Sequence, residues 1–187
     1  MTSPHAPGAA ARSLPLAAQA ALVLGGALAL TLSAKVQIPF WPVPMTLQTL
    51  AVMAIALSVP PRLAVAAMLA YLAAGAAGLP VFAGSPARGV GLAYMAGPTG
   101  GYLAGYLAAM ALTSRLAAGR GVVGRTGAML AGLALVYALG LAWLAVYVPA
   151  RALLAQGFAP FILGDLVKIA CVAVLSCCVP PRAEAGR

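Results

Sequence analysis

Charge is almost absent from long stretches of this chain, and the apolar stretches are cut by short segments dense in proline and glycine. The first apolar run is Leu14–Ser33. It ends at "KVQIPFWPVPM" (Lys35–Met45), where Pro39, Pro42 and Pro44 crowd together. Proline removes an amide donor and biases its predecessor towards extended backbone, so this segment is an extended loop, though an unusually apolar one. A short helix is predicted over Thr46–Val59, stopped by Pro60 and Pro61, and a third over Leu63–Ala77. A long glycine- and proline-rich loop follows at Gly78–Gly101. The fourth helix starts near Pro98 and runs to Leu116, the fifth spans Thr126–Val148, and the sixth Pro160–Val179. Pro98 and Pro160 suit first-turn positions. The pattern predicts an all-α protein of six helices.

Composition decides the solvent. The chain has 187 residues, 64% hydrophobic and 7% charged, whereas soluble domains are about one-quarter charged. Its surface therefore faces lipid. A spanning helix takes about 20 residues, so six spans and short loops account for the length, leaving no separate soluble catalytic domain. The expectation is a multi-pass protein of the cell membrane. Residues 1–13 are expected to form a disordered tail, 14–180 the six-helix membrane domain, and 181–187 a C-terminal tail. Arg12 followed by Leu14–Ser33, with "TLSAK", resembles a signal peptide. The run is longer than a usual signal core and more spans follow, so it reads as a retained first helix.

The net charge of +9 changes the picture only in one respect. Its basic residues stand singly between apolar blocks, with no stripe and no interleaved aromatics, which argues against nucleic acid. They read as topology signals. Arg12, Arg62, Arg115, Arg120, Arg125, Arg182 and Arg187 fall on one side, and Lys35, Arg88 and Arg151 on the other. Seven against three puts both termini in the cytoplasm. The loops at Lys35–Met45, Gly78–Gly101 and Val148–Ala159 then face outward, with the start of the sixth helix.

Within "FILGDLVKI" (Phe161–Ile169), Asp165 and Lys168 stand three residues apart, neighbours on one helical face. The only other acidic residue is Glu184. Charge inside a membrane helix is costly and usually functional. The pair is either a self-neutralising structural ion pair or the polar floor of a site open to the outside. The outward loops bring Phe40, Trp41, Phe82 and Arg88 in irregular backbone, which at membrane depth must be buried or line a cavity. Apolar walls with a few polar groups describe a small-molecule pocket. The alternatives are an interfacial aromatic belt for Phe40 and Trp41 and a solvated loop charge for Arg88. Gln48 faces the same cavity or bonds another helix. In the first helix, Ala17, Ala21, Gly25, Ala29 and Ser33 form a row at spacing four. Such a row permits close backbone approach, either to the chain's own helices or to another membrane subunit.

Several chemistries are missing from the sequence. There is no phosphate-binding G-x-x-x-x-G-K-[ST] segment. The single histidine, His5, lies in the tail, so neither a Ser/His/Asp set nor a metal site is expected. Cys171, Cys177 and Cys178 read as small packing residues without zinc spacing. An enzyme is not expected.

"KVQIPFWPVPMTLQTL", "GLPVF" with "GPTGGYLAGY", and "PFILGDLVK" together resemble the BioY family, from Lys35 to Lys168 and in the family's order. These are the biotin-specific substrate-binding components of energy-coupling-factor (ECF) transporters. The resemblance implies a six-helix membrane fold that captures biotin from outside, with no cofactor. It further implies a transmembrane coupling subunit and cytoplasmic ATPases, which supply the energy source this chain lacks. It favours the row in the first helix as the docking face. Asp165 and Lys168 match the family's Gly-Asp-x-x-Lys segment at the ligand site. Arg88 lies in the loop that contributes polar contacts, although its surroundings, "GSPARGVG", depart from the family's pattern. Biotin offers two ureido N–H donors, a carbonyl acceptor and a carboxylate. Asp165 is suited to the N–H groups, Lys168 or Arg88 to the carboxylate, and the aromatic residues to the thiophane ring and chain. The competing expectations are a stand-alone secondary transporter of a small organic anion and a structural membrane subunit without a ligand.

Overall fold

The computed structural model describes residues 14–38 and 42–177. Phe40, Trp41, Cys178 and both predicted tails lie outside the described residues. The described chain is helical apart from one two-stranded ribbon. Its elements are α1 (Leu16–Lys35), β1 (Gln37–Ile38), β2 (Met45–Thr46), α2 (Gln48–Ser58), α3 (Pro61–Ala76), α4 (Gly91–Met95), α5 (Gly100–Leu116), α6 (Val122–Leu144), α7 (Ala150–Gly157) and α8 (Ala159–Ser176).

Each predicted helix has a counterpart, with corrected bounds. The helix expected over Leu63–Ala77 begins two residues earlier because Pro61 occupies its first turn, where a missing amide donor is harmless. The one expected over Thr126–Val148 is shifted to Val122–Leu144, entered from extended backbone at Gly121. Arg125 therefore does not lie in a loop. It is buried in the first turn of α6, where its guanidinium donates to the Ser176 carbonyl at 2.8 Å. That carbonyl belongs to the last turn of α8, which leaves orphan acceptors and attracts cations. Two short helices stand where loops were expected. α4 follows Gly89 and opens on Gly91, both at positive φ, and is seated by buried Tyr94. α7 follows Pro149 and turns directly into α8.

α2 explains the packing. It is apolar all round and buried on most faces, as a helix inside a bundle must be. Val52 enters one core cluster with Leu30, Met68, Tyr71, Phe82 and Met110. Met53 enters the other with Met129, Leu133, Val136, Phe161 and Ile169. α5 and α6 pack along their length because Gly105 has no side chain: a Cβ there would lie 2.8 Å from the Val136 Cα.

α1 is mostly exposed. Only Gly26, Leu30 and Ala34 are buried, against α2 and α3. A Cβ at Gly26 would meet the Ala67 Cβ at 2.7 Å, whereas one at Gly25 would meet nothing within 4 Å. Gly26→Val is accordingly expected to destabilise the protein by about 1–3 kcal/mol through overpacking. Gly25→Val is expected to stay within about 0.5 kcal/mol of the parent. Thermal unfolding of the purified variants in detergent checks the contrast.

Among the described residues, three stretches are long and apolar enough to cross a membrane: Leu16–Lys35, Val122–Leu144 and Ala150–Ser176. Gln48–Ser58 and Pro61–Ala76 are shorter apolar helices.

Candidate functional site

The starts of α2, α5 and α8 and the end of α6 meet at one end of the bundle. The β1–β2 ribbon lies there too, pairing Gln37 with Thr46 and Ile38 with Met45. Between these elements is a cavity with about 550 Å³ of empty space, counting its open mouth. Met45, Thr46, Gln48 and Thr49 line it from the ribbon and α2, and Asp165 and Lys168 from α8. Tyr94, Tyr102, Tyr106 and Tyr137 supply aromatic wall, completed by Val43, Leu103, Val136 and Phe161.

Asp165 and Lys168 sit one helical turn apart and pair at 2.8 Å. They are 6% and 8% exposed, so neither charge is dispersed by solvent. The Lys168 ammonium also donates to the Thr46 carbonyl at 2.6 Å. The Tyr137 hydroxyl donates to the other Asp165 oxygen at 2.7 Å. Each carboxylate oxygen thus accepts one bond, and the carboxylate keeps further lone pairs.

Most of the remaining polar groups are also engaged within the protein. Gln48 donates to the Tyr71 hydroxyl at 2.9 Å, and its backbone amide donates to Thr46 Oγ1 at 3.2 Å. The Tyr94 hydroxyl donates to the Ala83 carbonyl at 2.8 Å and that of Tyr102 to the Gly157 carbonyl at 2.7 Å. Thr49 and Tyr106 approach through their hydroxyls at 3.4 Å. With hydroxyls tied back into the fold, the tyrosines offer mainly ring surface. The result is an apolar chamber with one strongly polar corner, suited to holding a molecule rather than transforming one.

Of the site residues expected from the sequence, Asp165, Lys168 and Gln48 line this cavity together. Arg88 lines an adjoining hollow with Pro42, Ala93 and Pro98, which shares Tyr94 and Thr99 with the cavity. Its guanidinium donates to the Pro42 carbonyl at 2.7 Å, tying the loop before α4 to the segment before β2. Phe82 is a correction. It is fully buried, edge-on to Tyr71 and stacked on Tyr94 at 4.8 Å, in the space left by Gly75. It supports the wall from behind and does not line the cavity. Phe40 and Trp41 lie outside the described residues.

Lys35, expected as a topology charge, has a further part. At the end of α1 it donates to the Phe82 and Ser85 carbonyls at 3.0 and 2.9 Å and to Ser85 Oγ at 2.9 Å. The α6 end braces the opposite side, where Trp143 donates to the Gly97 carbonyl at 2.9 Å and Tyr147 to that of Ala96. Ala17, Ala21, Gly25 and Ala29 are exposed along α1. Ser33 is half-buried, its hydroxyl bonded to the Leu30 carbonyl at 2.8 Å. The row does not pack inside the chain. Among the described residues, no cluster of three or more histidine, cysteine, aspartate or glutamate side chains is placed to hold a metal.

The tyrosines and threonines of the cavity went unnoticed in the sequence reading. Tyr102 and Tyr106 carried a usable signal, since spacing four puts both rings on one face of α5.

Comparison with known proteins places this architecture. The biotin S-component of an ECF-type ABC transporter, a crystal structure at 2.1 Å, has the same fold, with a TM-score of 0.74 at 24% identity. The match covers 85% of this chain and 88% of that one. The "Probable biotin transporter BioY" of Pyrococcus horikoshii is 36% identical over 146 residues, 78% of this chain and 86% of the relative. The "Biotin transporter BioY" of Thermotoga maritima is 34% identical over 149 residues, 79% and 86% of the respective chains. The family model for BioY matches residues 5–184, which takes in every element of the cavity and the whole of α1. The chain belongs to the BioY family.

Proposed function

We propose that this chain is the membrane-embedded biotin-binding subunit of an ATP-driven vitamin importer, and a transporter component rather than an enzyme. The observation that carries the ligand reading is the buried Asp165–Lys168 pair at the polar corner of an otherwise apolar chamber. Biotin's ureido group offers N–H donors to the spare lone pairs of Asp165. The bicyclic ring and aliphatic chain fit tyrosine faces and the aliphatic wall. Lys168 is already neutralised by Asp165 and bonded to Thr46. Arg88, which lines the hollow that shares Tyr94 and Thr99 with the cavity, is assigned to the ligand carboxylate for its position. Such charge-assisted bonds are the strong kind.

The chain crosses the cell membrane six times, through α1, α2, α3, α5, α6 and α8, with both termini cytoplasmic. The cavity end faces outward. In support, Arg62, Arg115 and Arg120 gather at the other end of the helices, as the positive-inside rule requires. Membrane lipid covers most of the exterior. A transmembrane coupling subunit docks on the row Ala17, Ala21, Gly25, Ala29 and Ser33 and connects the chain to cytoplasmic ATPases. Phe40 and Trp41, outside the described residues, are assigned to the ligand site on the sequence resemblance alone. No cofactor is required.

Calorimetric titration of the detergent-purified chain with biotin, beside riboflavin and thiamin, tests the reading. Saturable binding of biotin near one-to-one, without response to the other vitamins, is expected. Failure of folded protein to bind biotin would overturn it. A companion test separates the two cations. Arg88→Ala is expected to cost biotin about 1.5–3 kcal/mol, the range for a bond to a charged group. It should cost biotinamide, which lacks the carboxylate, far less.

A further inference from the structure

Asp165 has two interior neighbours, and the sequence spacing accounts for only one. Lys168 comes from the same helix and is tied to the Thr46 carbonyl of β2, so it anchors one carboxylate oxygen and leaves the other to be held from elsewhere. Tyr137 comes from the facing helix, α6, and its hydroxyl meets the second carboxylate oxygen at 2.7 Å. Tyr137 is buried, and its ring is held edge-on by Phe158 at 4.8 Å, at the junction of α7 and α8. Ring and hydroxyl are therefore both constrained. α6 is braced here in its turn: a Cβ at Gly140, one turn further on, would collide with the Tyr102 ring, and Tyr102 bonds Gly157.

A carboxylate read by two N–H groups of a rigid cyclic urea must present its remaining lone pairs at fixed angles, because hydrogen bonds weaken steeply as they bend. A carboxylate anchored through one oxygen alone is free to turn about its terminal bond, which is torsionally soft. We propose that Tyr137 is a positioning residue: its hydrogen bond locks the plane of the Asp165 carboxylate and so sets the selectivity of the cavity for a ligand with free ureido N–H donors. The Tyr137 ring lines the cavity, and the positioning role belongs to its hydroxyl, which acts through Asp165. The inference rests on the biotin reading above.

The test compares Tyr137→Phe with the parent chain, titrating each with biotin and with biotin methylated on one ureido nitrogen. Tyr137→Phe is expected to raise the Kd for biotin about 10-fold or more, the range for a bond to a charged group. The methylated analogue, with one donor already gone, is expected to lose much less, so discrimination between the two ligands narrows. In an Asp165→Asn background, adding Tyr137→Phe should cost little more, because the carboxylate it positions is absent. A purely structural tyrosine would lower the melting temperature of the empty protein and weaken both ligands alike. That result would overturn the proposal, as would an unchanged biotin Kd. If Tyr137→Phe does not fold, 3-fluorotyrosine introduced at Tyr137 keeps the ring and hydroxyl and alters chiefly the hydroxyl's acidity. A change in selectivity is again expected, and its absence would overturn the proposal. If the parent chain itself binds no biotin, it is the ligand reading that has failed, and the proposal falls with it. Parent binding with an indifferent Tyr137 overturns the positioning role alone.

Discussion

Asp165→Asn is expected to weaken biotin binding by about 2–5 kcal/mol, the range for removing one partner of a buried, hydrogen-bonded charge pair. Calorimetric titration of the purified variant measures it. The substitution preserves shape but turns an oxygen acceptor into an N–H₂ donor, which repels the ureido N–H it should receive. It also removes the charge that neutralises the Lys168 ammonium, 8% exposed, and leaves it only neutral oxygen acceptors such as the Thr46 carbonyl. Loss of binding and loss of stability are therefore mixed in this variant, and a second one separates them. Breaking a buried pair is strongly destabilising, whereas replacing both members by apolar groups of similar volume is often neutral. Asp165→Leu combined with Lys168→Met leaves the Tyr137 hydroxyl without its carboxylate acceptor but no unpaired charge, and is expected to unfold nearer the parent's temperature than Asp165→Asn does and yet bind no biotin. Were the pair only structural, the double variant would retain binding. Near-parental affinity in Asp165→Asn would remove Asp165 from the site.

The legibility of this site in the sequence follows from contrast. Asp165, Lys168 and Gln48 stand out because a polar group in an apolar run demands a partner. The same contrast hides Tyr94, Tyr102, Tyr106 and Tyr137, since an aromatic ring among leucines and alanines reads as packing until its hydroxyl is seen to bond. Tyr137 is the sharpest case: its partner is 28 residues away, so no local spacing joins them. Phe82 misleads for the opposite reason. It lies in a glycine-rich loop, yet Gly75 leaves space beneath it and the ring drops into the core. Arg125 was counted as a topology charge because the glycines before it resemble a loop, but the helix begins at Val122 and carries it inward. The six longer helices were legible from apolar run length. α4 and α7 were not, since five and eight residues are too few to show a helical period.

Gly25→Leu is expected to leave biotin binding unchanged while cutting ATP-driven uptake roughly 10–100-fold, the equivalent of overpacking a close helix contact. The readouts are titration of the single chain and biotin accumulation in proteoliposomes holding the coupling and ATPase subunits. Neutral binding follows from geometry. A Cβ at Gly25 meets nothing within 4 Å, and the ligand cavity has no lining residue on α1. The effect on uptake follows from the outer face of the helix. Ala17, Ala21, Gly25 and Ala29 form a shallow track open to the exterior, with Leu24, Leu28 and Leu32 also exposed on α1. In lipid, apolar side chains gain nothing by leaving one hydrocarbon surface for another, so close backbone packing along small residues is what draws helices together. A leucine in the track holds the partner helix away without touching the fold. Gly25→Ala, with only one added carbon, should reduce uptake far less. Uptake that survives Gly25→Leu would make the row ordinary lipid-facing surface. Uptake by the isolated chain without ATP would instead favour a stand-alone transporter, and the coupling subunit would then have no necessary place on α1.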